Sequence, residues 1–110
     1  MLGFQYVNGH WVGIQPKGTR PSTAGPVAVS DFYYGLTDPG LSITLPAAAT
    51  VTEGHELVIK DESGQADVVP HSILPDGADT IDGSNAALSI SAKWGCLRLI
   101  QRNGRWWKIS

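Results

Sequence analysis

The side chains that could bind a metal ion are three histidines, and their spacing does not support a site. His10, His55 and His71 lie far apart, without an H-x-x-x-H spacing and without a pair of cysteines to join them. A protein zinc site needs three or four such ligands, which short motifs bring together. The histidines therefore predict no metal site.

Carboxylates are the other groups that could do chemistry, as paired acids and bases or as calcium ligands. They concentrate in predicted turns, at Asp61, Glu62, Asp76, Asp79 and Asp82. The D-x-D-x-D-G spacing of a calcium loop is missing, and acidic residues beside glycine and serine are typical of turns. Neither Ser63 nor Ser84 has a G-x-S-x-G setting. We therefore expect no catalytic residue, no cofactor and no enzyme activity.

Tryptophan is the residue type that points to binding. Neighbouring residues of a strand face opposite sides, so one of Trp106 and Trp107 should lie in the core and the other outside. An outward tryptophan is typical of protein interfaces and also of sugar-stacking sites. We expect an oligomer contact or a glycan surface among Trp94, Trp106 and Trp107, with packing at the domain edge as the alternative.

Short stretches of alternating apolar and polar residues must position these side chains. Residues 56–60 alternate and then end in a polar turn closed by Gly64, and residues 41–45, 87–91 and 97–100 follow the same pattern. Strands are predicted near 27–34, 41–45, 56–60, 66–70, 72–75, 87–92, 96–101 and 105–109. Such spacing indicates an all-β fold, a compact antiparallel sandwich or a jelly-roll-like barrel.

One face of each strand should build the core. The alternation assigns to it Ile43, Leu45, Leu57, Ile59, Ile81, Leu88, Ile90, Leu97 and Leu99. Cys96, the one cysteine, lies in an apolar stretch, where we expect an inert packed thiol.

The first 26 residues form a segment of different character, and residues 27–110 form the β-domain. Asn8-Gly9 between aromatic and branched residues predicts a hairpin, and three prolines between 15 and 26 predict an extended arm. Aromatic residues that the core does not need should be buried against a partner. We expect attachment to a partner through Phe4, Tyr6, Trp11, Ile14, Lys17 and Arg20. The alternatives are a plain linker and one more hairpin of the sandwich.

Composition excludes several partners. The 110 residues carry a net charge of −2. We therefore expect no basic face of the kind that binding to a nucleic acid requires. No apolar run approaches the ~20 residues of a membrane span. The first residues show no basic segment followed by an apolar one, so we expect no ordinary signal peptide. Only 16% of residues are charged and 42% are hydrophobic, which suggests that other protein covers part of the surface.

An ordered set of motifs resembles a β-module of tailed-bacteriophage structural proteins. The motifs cover roughly residues 41–110 and leave out residues 1–34. They are Ile43-Thr44-Leu45-Pro46, Ala49-x-Val51-x-x-Gly54, Leu57-Val58-Ile59-Lys60-Asp61-Glu62-Ser63-Gly64, Ile73-x-Pro75-x-Gly77-x-Asp79-x-Ile81-Asp82-Gly83, Gly95-x-Leu97-x-Leu99-Ile100 and Gly104-x-Trp106-x-x-Ile109.

This resemblance implies a non-enzymatic virion protein, usually a homotrimer, found in capsid decoration proteins and in head and tail fibres. The chain leaves no room for the long shaft of a fibre, so we expect a decoration or cement protein on the capsid surface. Its partners would be further copies of itself and the major capsid protein. The alternative is a receptor- or glycan-binding module at a fibre tip, with a host surface glycan as partner.

Overall fold

The computed structural model describes residues 4–7, 10–13, 19–21, 25–27 and 32–110, and in these residues the protein is all-β, as predicted. A single 3-10 turn at Ala48–Thr50 is the one helical element there. The strands are β1 (Phe4–Val7), β2 (His10–Gly13), β3 (Thr19–Pro21), β4 (Gly25–Pro26), β5 (Tyr33–Leu36), β6 (Ser42–Thr44), β7 (Glu56–Asp61), β8 (His71–Leu74), β9 (Leu88–Ile90), β10 (Cys96–Arg102) and β11 (Arg105–Lys108).

The chain alternates between two main sheets. One has the strand order β11-β10-β7-β5-β3 and the other has the order β4-β6-β8-β9. From β3 to β8 each strand is followed by one in the opposite sheet. A strand two positions later therefore returns in the same direction, and it pairs in parallel with the first. Both sheets are consequently mixed, which corrects the expectation of an antiparallel sandwich.

The remaining strand pairs are antiparallel. β8 pairs with β9, and β10 pairs with both β7 and β11. β1 and β2 form a separate antiparallel pair, with Val7 opposite His10. Asn8 and Gly9, which are predicted to form the turn between them, lie outside the described residues. At the other hairpin Asn103 and Gly104 have φ angles of 56° and 71°, as a two-residue turn between twisted strands requires.

The core is made by the predicted alternating faces. Eight of the nine predicted core residues are buried, and Leu88 is half-buried and packs against the others. Tyr34, Leu36, Ile73 and Trp106 are the other large apolar side chains that are fully buried. Burying one large apolar side chain stabilises the fold by about 1.5–3 kcal/mol, so this shared interior is what holds the two sheets together.

Two local predictions are wrong. Residues 66–70 form a turn rather than a strand, because the backbone N–H groups of Val68 and Val69 both donate to the Gln65 carbonyl. Cys96 is exposed rather than packed. Leu97 and Leu99 face the core, so alternation along β10 turns Cys96 outward.

Candidate functional site

A buried pair of ionisable side chains, Asp61 and His71, lies between the two sheets. Asp61 ends β7 and His71 begins β8, and both side chains are fully buried. His71 Nε2 lies 2.9 Å from Asp61 Oδ1. The same oxygen accepts hydrogen bonds from the backbone N–H and the hydroxyl of Ser63, and Oδ2 accepts from the backbone N–H groups of Ala66 and Trp94. The carboxylate thus joins four separate parts of the chain.

The hydrogen bonds of His71 fix its tautomer. The backbone N–H of Leu41 donates to His71 Nδ1 at 3.0 Å. A backbone N–H can only donate, so Nδ1 carries no proton and Nε2 carries it. The imidazole is therefore neutral in this arrangement and donates from Nε2 to Asp61.

The surroundings of Asp61 hold its carboxyl group ionised. Burial by itself would raise its pKa, but the hydrogen bonds it accepts outweigh burial and hold the pKa well below the usual range. The donors are the His71 and Ser63 side chains and two backbone N–H groups. Because neither side chain reaches solvent, the pair organises the chain and does not face a substrate.

The surface element that this carboxylate positions is the turn at Trp94. Trp94 has a φ angle of 61°, a left-handed conformation that costs a bulky residue about 1–2 kcal/mol. Its backbone N–H donates to Asp61 Oδ2 at 3.0 Å, and its carbonyl accepts from Lys60 Nζ. Two hydrogen bonds to neighbouring strand β7 therefore hold the turn in an unfavourable conformation.

Gly64 provides the seat for the Trp94 ring. The six-membered ring of the indole lies where a side chain on residue 64 would be, since a Cβ there would approach it to 2.5 Å. The Trp94 side chain is nevertheless 52% exposed. We call Trp94, Gly64 and Lys60 the Trp94 platform. It presents a fixed aromatic surface to solvent, which can bind a partner's apolar group or the apolar face of a sugar.

A second outward tryptophan lines a groove at the end of the β10–β11 hairpin. Ile100, Arg102, Asn103 and Trp107, which we call the Trp107 groove, surround about 520 Å³. Ile100 and Trp107 are cross-strand partners and so share the outer face of the sheet. Trp107 Nε1 donates to the Arg102 carbonyl at 3.0 Å, which holds the indole over strand β10.

Another hydrogen-bonded pair lies farther along the outer face of this sheet. The Tyr33 hydroxyl donates to Glu62 Oε2 at 2.5 Å, and the Glu62 carboxylate occupies the space that a side chain on Gly35 would need. Burial, followed by this bond to the Glu62 carboxylate, raises the pKa of Tyr33 to about 12. The phenol therefore remains a proton donor at neutral pH.

The predicted surface tryptophans separate into two classes. Trp94 is exposed and Trp107 is half-buried on the outer face, and their role in binding stays a prediction. Trp106 is fully buried, and its Nε1 donates to the Pro46 carbonyl. It is therefore a core residue and belongs to no oligomer or glycan surface, which is the outcome that strand alternation requires for one member of the pair.

The predicted attachment residues are described only in part. Ile14 and Lys17 lie outside the described residues. For Phe4, Tyr6, Trp11 and Arg20 the structure describes the strands that contain them and not their side chains. The attachment role of all six residues stays a prediction, as does the division at residue 26.

Sequence reasoning missed Asp61 and His71 as a pair. Asp61 was assigned to a turn, although Leu57, Ile59 and Asp61 follow one another at every second position and so share the buried face of β7. His71 and Ile73 have the same relation on β8. Alternation therefore carried the signal that both polar residues point into the core.

Within the described ranges, no group of three histidine, cysteine or acidic side chains could hold a metal ion. In that same part of the chain no helix is long and apolar enough to cross a membrane.

No protein-family model matches this chain, and no curated protein matches it. The resemblance to phage structural modules therefore rests on the motifs of the sequence alone.

Proposed function

We propose that this chain is a non-enzymatic structural protein of a tailed-phage virion, a decoration protein that binds the outside of the capsid as a homotrimer. Two independent arguments support the proposal. The ordered motifs between residues 41 and 110 resemble such proteins, and the surface carries an aromatic side chain that the fold holds in place at a cost in energy.

The main structural support for a binding role is the Trp94 platform. A left-handed backbone at a tryptophan persists only when its surroundings impose it, and here a buried carboxylate and a lysine do so. Exposed aromatic residues of this kind dominate the energy of protein interfaces. The ionisable pair beneath it is fully buried and hydrogen-bonded, so the arrangement supports binding better than proton transfer.

One edge of the five-stranded sheet limits how a partner could add to the fold. The free side of β11 is covered by residues 80–82, because Trp106 N–H donates to the Thr80 carbonyl and Asp82 N–H to the Trp106 carbonyl. Backbone pairing with a partner at that edge is therefore blocked. At that edge a partner could bind only through side chains.

Immunogold electron microscopy on particles from the native source tests the proposal. Gold distributed over the heads supports a decoration protein. Gold on no particle at all overturns the virion assignment, and gold only at the tail or at fibre tips favours the second candidate described below. Light scattering of the purified chain at micromolar concentration should give three times the chain mass, and a monomer would contradict the homotrimer.

A variant isolates the contribution of Trp94 to shell binding. Trp94→Asn removes the ring, while asparagine adopts the left-handed region readily, so the turn should keep its shape. We expect this variant to fold and to lose binding to capsids stripped of the protein. Val68→Asn is the matched control, since Val68 is an exposed apolar residue in another turn. Undiminished capsid binding by Trp94→Asn would remove the platform from the interface.

The second candidate function is glycan binding at a fibre tip, and the Trp107 groove favours it. The groove combines an indole with a guanidinium and a side-chain amide. Ligand sites for small polar molecules join apolar walls with a few donors in this way. Binding to a glycan array, with no affinity for stripped capsids, would support this candidate over the first.

A further inference from the structure

Two arginines face each other at the turn end of the β10–β11 hairpin, and one of them, Arg102, lines the Trp107 groove. Arg102 and Arg105 are cross-strand partners on the outer face, and both are exposed. Like charges directly opposite one another destabilise a strand pair. In the described part of the chain neither arginine has an ion-pair partner, whereas Arg98 on the same face pairs with Glu56 at 3.0 Å. The hairpin therefore concentrates positive charge that the fold itself does not neutralise.

Charge complementarity defines what this end of the groove would accept. Glu56 lies on the neighbouring strand β7, opposite Ile100 in register, and its carboxylate is already engaged by Arg98. The planar guanidinium of Arg102 can donate two parallel hydrogen bonds to the carboxylate of a ligand. Arg105 opposite would add a second positive charge.

The remaining walls of the groove fit a sugar ring. The Nε1–H of Trp107 is occupied by the Arg102 carbonyl, so the indole offers its face rather than its polar edge. Beside it lie the apolar side chain of Ile100 and the amide of Asn103, which can both donate and accept. An aromatic face with an amide at its rim matches a ring that has an apolar C–H face and hydroxyl groups at its edge.

We propose that the Trp107 groove binds a carboxylated sugar, such as a uronic or sialic acid unit of an acidic glycan. The sugar ring lies against Trp107, its carboxylate pairs with Arg102 and Arg105, and a hydroxyl group bonds to Asn103. This inference rests on the second candidate function and adds the charge class of the glycan.

A nucleic acid fits the same observations less well. Binding to a phosphate backbone uses many cations along an extended face, whereas this chain has a net charge of −2 and two unpaired arginines at one hairpin end. A groove of about 520 Å³ lies in the size range of small-ligand sites.

The test compares acidic oligosaccharides with the same oligosaccharides after carboxyl reduction. Oligomers of galacturonate, mannuronate, hyaluronate and sialic acid are titrated into the full chain by calorimetry, each beside its reduced counterpart. We expect at least one acidic oligomer to bind, with affinity about 10- to 100-fold weaker after reduction, because bonds to a charged group are lost. Equal binding of acidic and reduced forms overturns this inference and leaves glycan binding intact. Binding of none overturns both.

Variants assign the binding to the groove. Arg102→Gln should weaken binding of the acidic oligomer by about 10-fold or more and leave binding of its reduced form unchanged. Lys93→Gln makes the same change in charge at an exposed residue outside the groove, and should leave the affinity for the acidic oligomer unchanged. Equal losses in the two variants would indicate general attraction to a positive surface, and would overturn the site. Thermal unfolding of each variant verifies that it is folded.

Discussion

The two outward tryptophans reach the surface by different physical routes. Trp107 lies in a regular strand, and its direction follows from alternation with buried Trp106. Trp94 lies in a turn with a left-handed backbone, and its direction depends on a carboxylate from another strand, a lysine and a glycine seat. One is placed by local geometry, and the other by a tertiary network.

This difference predicts how each surface responds to change. The Trp107 groove should tolerate substitutions elsewhere, because a hairpin with its own turn maintains it. The Trp94 platform should be lost whenever the Asp61 network is broken, because the strained turn has no local reason to persist.

Removing the Asp61 carboxylate should have the largest effect. Asp61→Ala leaves His71 and several backbone N–H groups buried without an acceptor. We expect the free energy of unfolding to fall by about 3–5 kcal/mol, as measured by urea denaturation. Amide hydrogen exchange by NMR should show faster exchange at the Trp94 N–H, while Trp107 keeps its protection.

The control for this prediction is Asp67→Ala, an exposed carboxylate in the neighbouring turn. It should change the unfolding free energy by less than about 0.5 kcal/mol. If Asp61→Ala cost as little as the control, the network would not hold the platform, and the contrast between the two tryptophans would fail.

A methyl group at residue 64 should disturb the platform next most strongly. Gly64 has a φ angle of 71°, and a Cβ there would meet the Trp94 ring at 2.5 Å. Gly83 also has a positive φ, of 81°, but a Cβ there would meet nothing within 4 Å. We expect Gly83→Ala to cost about 1–2 kcal/mol from backbone strain alone, and Gly64→Ala about 1–3 kcal/mol more from the clash.

Equal unfolding free energies for the two alanine variants would mean that the Trp94 ring does not rest on Gly64. Gly64 would then not belong to the platform, and Trp94 would be a turn residue without a fixed side chain.

Acid should weaken the platform through Asp61. Its pKa is lowered in the folded protein, so as pH falls the unfolded chain takes up the proton first, near the usual value of about 3.9. The stabilisation from the carboxylate is therefore complete above that pH and is lost as pH falls towards the folded pKa. Comparison of the protein with Asp61→Asn by urea denaturation should show a stability difference that is present at pH 5 and shrinks below about pH 4. A difference independent of pH would contradict the assignment of an ionised Asp61.

Alternation in the sequence was enough to predict most of the apolar core and that one of two adjacent tryptophans faces outward. The every-second-residue pattern placed Ile43, Leu57 and Leu99 inside, and it required Trp106 and Trp107 to face opposite ways. These outcomes depend only on the geometry of a strand, which is local.

The rest depends on contacts between residues far apart in the chain. Alternation cannot reveal that Asp61 meets His71, or that its second oxygen reaches Trp94, 33 positions away. The parallel pairing of β5 with β7 likewise follows from an excursion of the chain to the other sheet, which strand spacing alone does not show. For Cys96 the apolar character of its stretch favours burial, but its place in the alternation decides, and it faces solvent.

The smallest expected effect on stability is at Trp107, and it completes the contrast between local and tertiary placement. Trp107→Phe keeps an aromatic ring on a half-buried side chain and loses one hydrogen bond to the Arg102 carbonyl, so urea denaturation should show a loss of about 1 kcal/mol or less. Trp106→Phe is the matched substitution one residue earlier. It leaves a cavity in the core and removes the donor to the Pro46 carbonyl, and it should cost about 2–4 kcal/mol. If Trp107→Phe cost as much as Trp106→Phe, Trp107 would be part of the packing that holds the hairpin, and its ring would not be free to serve a ligand.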